Sequence, residues 1–409
     1  MSSTAVVYRH LDGVAVAGHA EVRERSVRRR VGLTWGLLVL NAMGYTGLLV
    51  HVPSAFGKAI TQGALPLALV VALTVNRRLV VRPNIFLCLV TLMTLGAVVA
   101  CIHPQYVGTV YRTFRLAEFV AVLWLLTPFW GRRDLLLVRC HLISIAVILG
   151  SVVAGALVAP GKALGTGRLV GTLWDIPAPQ VAHYSATVFG VAVVLWLCGQ
   201  VRGRRALAIV AISGGLLIET HTRTALVAMI AALIVSGLSL IAVRARARRL
   251  FAIAGAATAV AVMTLSSFLT TWLARGEGTQ ELTNLTGRTK VWVPLLSEQR
   301  DRFQEIFGFG LSNDSFNGLP IDSNWLASYL DQGLYGVVCC ALIIVFLLVV
   351  AYFQPRGMRR ALALFFITYC LVASFTEVGF TGASSYLLEL TLAASLLTPL
   401  TRSPAHETE

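Results

Sequence analysis

The sequence predicts an all-α polytopic integral membrane protein with about twelve transmembrane helices and one long extracytoplasmic loop between spans nine and ten. Three observations predict it. Hydrophobic residues make up 56% of the chain and charged residues only 13%. Apolar runs of about 18 to 20 residues recur along the whole length, enough for a helix to cross the hydrocarbon layer. Basic residues gather in clusters between those runs. A β-barrel is excluded, because its strands would alternate apolar and polar residues over about ten positions.

The formal net charge of +15 would suit a nucleic-acid partner, so its placement decides the matter. With a cytoplasmic N-terminus and twelve spans, about 23 of the 34 Lys and Arg lie in or beside cytoplasmic segments, as the positive-inside rule requires. The clusters are Arg23–Arg30, Asn76–Arg78, Gly131–Arg133, Arg202–Arg205, Arg244–Arg249 and Arg356–Arg360. Membrane lipid accounts for the charge and nucleic acid is excluded.

In chain order, residues 1–30 form a basic cytoplasmic tail, expected to be disordered. Val31–Val50 follows as a retained signal anchor, since the span has full length and lacks a small-residue cleavage site. Eight further spans are predicted at Ala59–Val75, Asn84–Cys101, Tyr111–Trp130, Val138–Val158, Val181–Cys198, Ala206–Thr220, Thr224–Val243 and Leu250–Trp272, so residues 31–272 hold nine. Residues 273–332 form the extracytoplasmic loop with short amphipathic helices. Residues 333–400 hold spans at Gly333–Phe353, Ala361–Thr376 and Ser384–Leu400, and residues 401–409 form a cytoplasmic tail. An even span count puts both termini in the cytoplasm.

The seven cysteines lie in or at the edges of spans, so no disulfide framework is expected. His51, His103, His183 and His221 sit at the outer ends of spans without metal-ligand spacing. Neither a metal nor a cofactor is expected. No internal repeat is visible, and one long loop off-centre argues against the matched halves of many transporters.

Candidate functional residues gather at the outer face. Span four opens Tyr111-Arg112-Thr113-Phe114-Arg115 and reaches Glu118 about 9 Å further in. Arg112 and Arg115 share a helix face, and Glu118 lies where it can meet Arg115. A charge at that depth is a functional-site candidate by default, with a structural ion pair as the alternative. Glu219, His221 and Arg223 crowd the turn between spans seven and eight. Arginine's fixed fork of donors matches a diphosphate better than lysine does.

The long loop adds Arg275, Arg288, Lys290, Arg300 and Arg302. Val291, Trp292, Leu295 and Leu296 recur at helical spacing, which predicts an amphipathic helix with Arg288 near its positive end. Pro294 lies inside it, so the helix kinks or starts later. Gly308-Phe309-Gly310 reads as a tight turn. Trp174, Asp175, Trp292, Asn324 and Trp325 also fall at the outer face, where tryptophans are expected as a membrane aromatic belt.

Three stretches resemble the O-antigen ligase and polymerase family: Thr222-Arg223-Thr224-Ala225, then Thr286-Gly287-Arg288 with Trp292, then Asp322-Ser323 followed by nine residues and Gly333-Leu334-Tyr335-Gly336. The last pattern carries a histidine in the family's ligases; here Asp322 stands in its place, or Ser323 in the adjacent register. The resemblance implies glycan transfer from a polyprenyl-diphosphate carrier to an acceptor sugar hydroxyl, without metal or nucleotide sugar. It further implies diphosphate binding by Arg223 and Arg288, supported by Arg112 and Arg115, proton acceptance or acceptor orientation by Asp322, Glu219 or His221, and sugar contact by Trp174, Asp175, Trp292, Asn324 and Trp325. The missing histidine favours a polymerase over a ligase. Partners would be the lipid-linked oligosaccharide, an acceptor glycan and, for a polymerase, a chain-length regulator. An arginine-rich, lysine-poor composition points to a GC-rich bacterial genome, hence the bacterial inner membrane. A transporter or lipid-linked oligosaccharide flippase is the reading from another class.

Overall fold

The computed structural model describes residues 4–43, 49, 53–103, 106–165, 167–253, 289–312 and 315–400. Most of the expected ninth span lies outside them, as do His51, Arg275, Thr286, Gly287 and Arg288. The described part of the protein is 74% helical. Five helices among the described residues are long and apolar enough to cross a membrane.

The chain begins with α1 (Thr4–Asn41), α2 (Ser54–Val75), α3 (Ile85–Ala100), α4 (Thr109–Leu126) and α5 (Leu136–Val158). A short α6 (Pro160–Ala163) leads to α7 (Ala178–Leu197), α8 (Gly203–Glu219) and α9 (Arg223–Ile241). Residues 245–253 are also helical. Beyond the undescribed stretch come α10 (Thr289–Ser297) and α11 (Arg302–Phe307), a hairpin of β1 (Ser315–Phe316) and β2 (Leu319–Pro320), then α12 (Asn324–Phe353), α13 (Met358–Ala373) and α14 (Ser385–Leu397).

Two boundaries depart from expectation. Arg23–Arg30, expected in a disordered tail, lies on the same helix as Val31. Glu21–Arg25 and Glu24–Arg28 pair across one turn at 2.5 and 3.1 Å, the spacing that supports an exposed helix. Arg28 also reaches Asp134 at 3.0 Å, and Arg132 pairs with Glu24. Burial pushes the Glu24 carboxyl up, but the Arg132 and Arg28 guanidiniums outweigh it and hold it below its ordinary value. The second departure is α12, which begins at Asn324 rather than Gly333. The end of the expected loop is therefore helical.

The centre of the bundle is α13 and α14. Nearly every residue from Leu387 to Leu397 is buried, as is the run Ala361–Cys370. A helix apolar on all sides belongs inside a protein. Helix α13 packs chiefly on α9 and α14, and Ser236 of α9 donates to the Ala361 carbonyl at 2.8 Å.

Candidate functional site

Helix α12 is broken at Gly333, whose φ of 60° and ψ of −156° leave helical space. The break is locked from outside. Phe309 and Gly310 donate their N–H groups to the carbonyls of Leu330 and Asp331 at 2.9 and 3.0 Å, so the end of the first half-helix is capped by the loop. The buried Asp331 carboxylate accepts from the Ser312 N–H at 3.0 Å. Glycine is required on both sides, because a Cβ on Gly308 or Gly333 would lie 2.5 Å from the facing backbone. A broken helix at membrane depth survives only where protein covers it or where it lines a cavity.

The half-helix is held by a small apolar cluster of its own. Val291 and Leu295 of α10 pack with Phe309, Ile321, Ala327 and Leu330. Helix α10 forms as expected, with Pro294 inside it. Arg300 completes the contact: it donates to the Tyr329 carbonyl at 2.8 Å and lies 4.0 Å over the Tyr329 ring and 4.8 Å over Phe309. Burial, together with the Glu298 and Asp331 charges, pushes the nearby Tyr106 phenol up to about 12 against the opposing pull of Arg300.

The turn joining α8 to α9 is three residues long, Thr220 to Thr222. His221 takes φ of +49°, a conformation that costs a non-glycine residue roughly 1–2 kcal/mol. Arg168 spans the turn, donating to the Thr220 carbonyl and the Thr222 hydroxyl, both at 3.0 Å. Arg223 is thereby set as the first residue of α9. Glu219 is exposed and its carbonyl accepts from the Leu169 N–H at 2.9 Å.

This turn meets the start of α12 through the connection between α13 and α14. The Thr376 hydroxyl bonds to that of Thr224 at 2.8 Å. The Trp325 indole donates to the Ser374 hydroxyl at 3.1 Å. Asn324 accepts from the N–H groups of Gly379 and Phe380 at 3.2 and 2.8 Å. Asp322, half-buried, and Ser323 immediately precede it. The stretches around Arg223 and Asp322 are thus joined through one short segment.

Other candidates are placed differently. Arg112 donates to the Leu311 carbonyl at 3.0 Å, which puts it beside the loop that caps the α12 break. Arg115 turns to the Asn41 side chain and carbonyl; the expected Arg115–Glu118 ion pair is not formed, because the α1 end offers uncharged acceptors nearer the guanidinium. Asn324, expected to face sugar, is fully buried, since backbone N–H groups occupy its amide oxygen. Trp292 and Trp174 are half-buried against the two apolar clusters. Asp175 is exposed at the tip of the loop closed by the Gly171–Ile176 bridge.

A second polar cluster lies inside the bundle. Glu389 of α14 is fully buried. Its Oε1 accepts from Thr187 at 2.6 Å and lies 3.2 Å from His183 Nε2 and 3.7 Å from His141 Nε2. The Trp35 indole N–H points at His141 Nδ1 from 3.2 Å. That nitrogen must therefore be the acceptor, so Nε2 carries the proton and is closed to a metal. Among the described residues no group is arranged to hold a metal ion. His183, expected at an outer helix end, is buried against Glu389 and the Tyr386 ring, 4.2 Å away. The sequence signal for this cluster is a lone carboxylate inside an apolar span.

No protein-family model matches the chain, and no curated protein is similar to it.

Proposed function

We propose that this membrane protein is a cell-envelope polysaccharide polymerase. It transfers glycan from a polyprenyl-diphosphate carrier to an acceptor sugar hydroxyl at the outer face of a bacterial inner membrane. The observation that carries the reading is the convergence of the Thr222–Ala225 turn and the Asp322–Trp325 segment on the α13–α14 connection, through Thr224–Thr376 at 2.8 Å and Trp325–Ser374 at 3.1 Å. These stretches are about a hundred residues apart in sequence, and both belong to the family resemblance. In this reading the chain crosses the membrane about twelve times with both termini cytoplasmic.

The chemistry asks for cations where the lipid diphosphate departs. Arg223, held by a rigid turn, and Arg288 supply them, and arginines at a water-poor interface stabilise that charge as it develops. Arg112 is a supporting cation through its place beside the capped break. Arg115 is further removed by its Asn41 contacts. Asp322, Glu219 and His221 compete for the role of accepting the acceptor hydroxyl's proton or orienting that hydroxyl. A ligase of the same architecture would use the same groups on a different acceptor.

The deciding experiment incubates purified protein with its lipid-linked repeat unit and no second acceptor, then separates products by size. A polymerase gives a ladder of longer lipid-linked glycans, lost in Arg223→Ala with Arg288→Ala while the protein still inserts. A folded protein that gives no ladder with authentic substrate rejects the reading; added acceptors then separate ligase from transporter. The His183–Glu389 cluster favours the transporter reading as the second choice, because ionisable groups inside a bundle are what ion-coupled carriers use.

A further inference from the structure

The ends of α9, α12 and α13 that carry Arg356 and Arg360 enclose a groove of about 760 Å³. Its walls are apolar and include Leu238, Val349, Tyr352 and Phe353; Tyr352 and Phe353 are 70% and 78% exposed. Arg356 and Arg360 are the charged residues of its lining. Arg360 gives one N–H to the Gln354 carbonyl at 3.2 Å, while its Nε is buried with no hydrogen-bond partner among the described residues. Such a donor retains its desolvation cost until an acceptor arrives.

The charge around this end is of one sign. Arg244, Arg246, Arg248 and Arg249 follow α9, and Arg356, Arg359 and Arg360 lead into α13; neither 241–250 nor 354–360 contains an Asp or Glu. None of these arginines forms an ion pair among the described residues. Arg246, Arg248, Arg359 and Arg360 spend donors on backbone carbonyls instead. An apolar cleft with uncompensated guanidiniums in its lining matches a molecule with an acyl chain and an anionic head.

We propose that this groove binds an anionic phospholipid, its phosphate on Arg356 and Arg360 and an acyl chain along Val349 and Tyr352. Basic pockets between transmembrane helices take such head groups, and each cation near the membrane surface contributes about 1 kcal/mol of attraction. The site is separate from the transfer site and does not depend on it.

The test is native mass spectrometry of the full-length protein in neutral detergent with added phosphatidylglycerol or phosphatidylcholine. The expected result is one tightly held phosphatidylglycerol and no retained phosphatidylcholine. Arg356→Gln with Arg360→Gln should weaken retention about thirtyfold. Val349→Trp should also weaken it by filling the groove without altering charge, which guards against a charge variant that misfolds. Equal retention of both lipids, unchanged retention in both variants, or none at all overturns the proposal. The last outcome is expected if another part of the chain or a second copy fills the groove.

Discussion

Gly308 faces the peptide between Asp331 and Gln332 so closely that a Cβ on it would lie 2.5 Å from both the Asp331 carbonyl carbon and the Gln332 nitrogen. The contact is reciprocal, since a Cβ on Gly333 would lie 2.5 Å from the Ile306 carbonyl carbon. Both glycines have positive φ. Gly308→Ala or Gly333→Ala is expected to cost at least about 2–3 kcal/mol, from the clash and the left-handed backbone together. Gly63→Ala, on an exposed helical face with nothing within 4 Å, is expected to be neutral or to stabilise by up to about 1 kcal/mol. Thermal unfolding in detergent compares the three. A Gly308→Ala protein as stable as Gly63→Ala would refute the locked break.

The Glu389 carboxylate accepts from Thr187 and lies beside His183 and His141, 3.2 and 3.7 Å from their Nε2 atoms, without a hydrogen bond to either. Replacing it leaves the buried Thr187 hydroxyl without its acceptor and removes the carboxylate facing both imidazoles, so Glu389→Leu is expected to destabilise by about 3–5 kcal/mol. Thr187→Val removes one donor and is expected to cost about 1–2 kcal/mol. Unfolding midpoints of the two variants check the order. A Glu389→Leu protein at least as stable as the parent would show that the cluster is not a structural hub.

Tyr106 links stability to alkaline pH. Burial, with the Glu298 and Asp331 charges, raises its phenol from 10.0 to about 12 in the folded protein. Between those values the unfolded chain loses its proton while the folded protein keeps it, so the free energy of unfolding falls as pH rises. Stability should be intact below pH 10 and fall as pH approaches about 12. Tyr106→Phe should fall less steeply over that window. Denaturant titrations at several pH values read this directly, and identical slopes for the two proteins would reject the buried environment.

Much of the helix layout was readable because apolar runs must form helices wherever water is absent. The tighter features follow from contacts that periodicity does not encode. Asn317-Gly318 between Phe316 and Leu319 is a two-residue hairpin signal, short beside the apolar runs that dominate the sequence; both residues have positive φ. Asn324 looked like an outer-face polar residue, but its amide holds the Gly379 and Phe380 backbone. Glu389 was hidden by the apolar residues around it. Its partners His141 and His183 lie about 200 or more residues away, so only packing brings the three together.

The final prediction concerns Thr224 and Thr376, whose hydroxyls bond at 2.8 Å. If this bond positions Arg223 relative to the Asp322 segment, then Thr224→Val and Thr376→Val each keep the volume and loosen the geometry. Small displacements at a transfer site cost substantial rate, so each variant is expected to slow ladder formation roughly tenfold. Two variants acting through one bond should not add, so the double variant is expected to match the slower single. Initial rates of the four proteins, with inserted protein quantified, complete the cycle. Multiplying effects would show that the threonines act separately, and unchanged rates would show that the contact does not position the site.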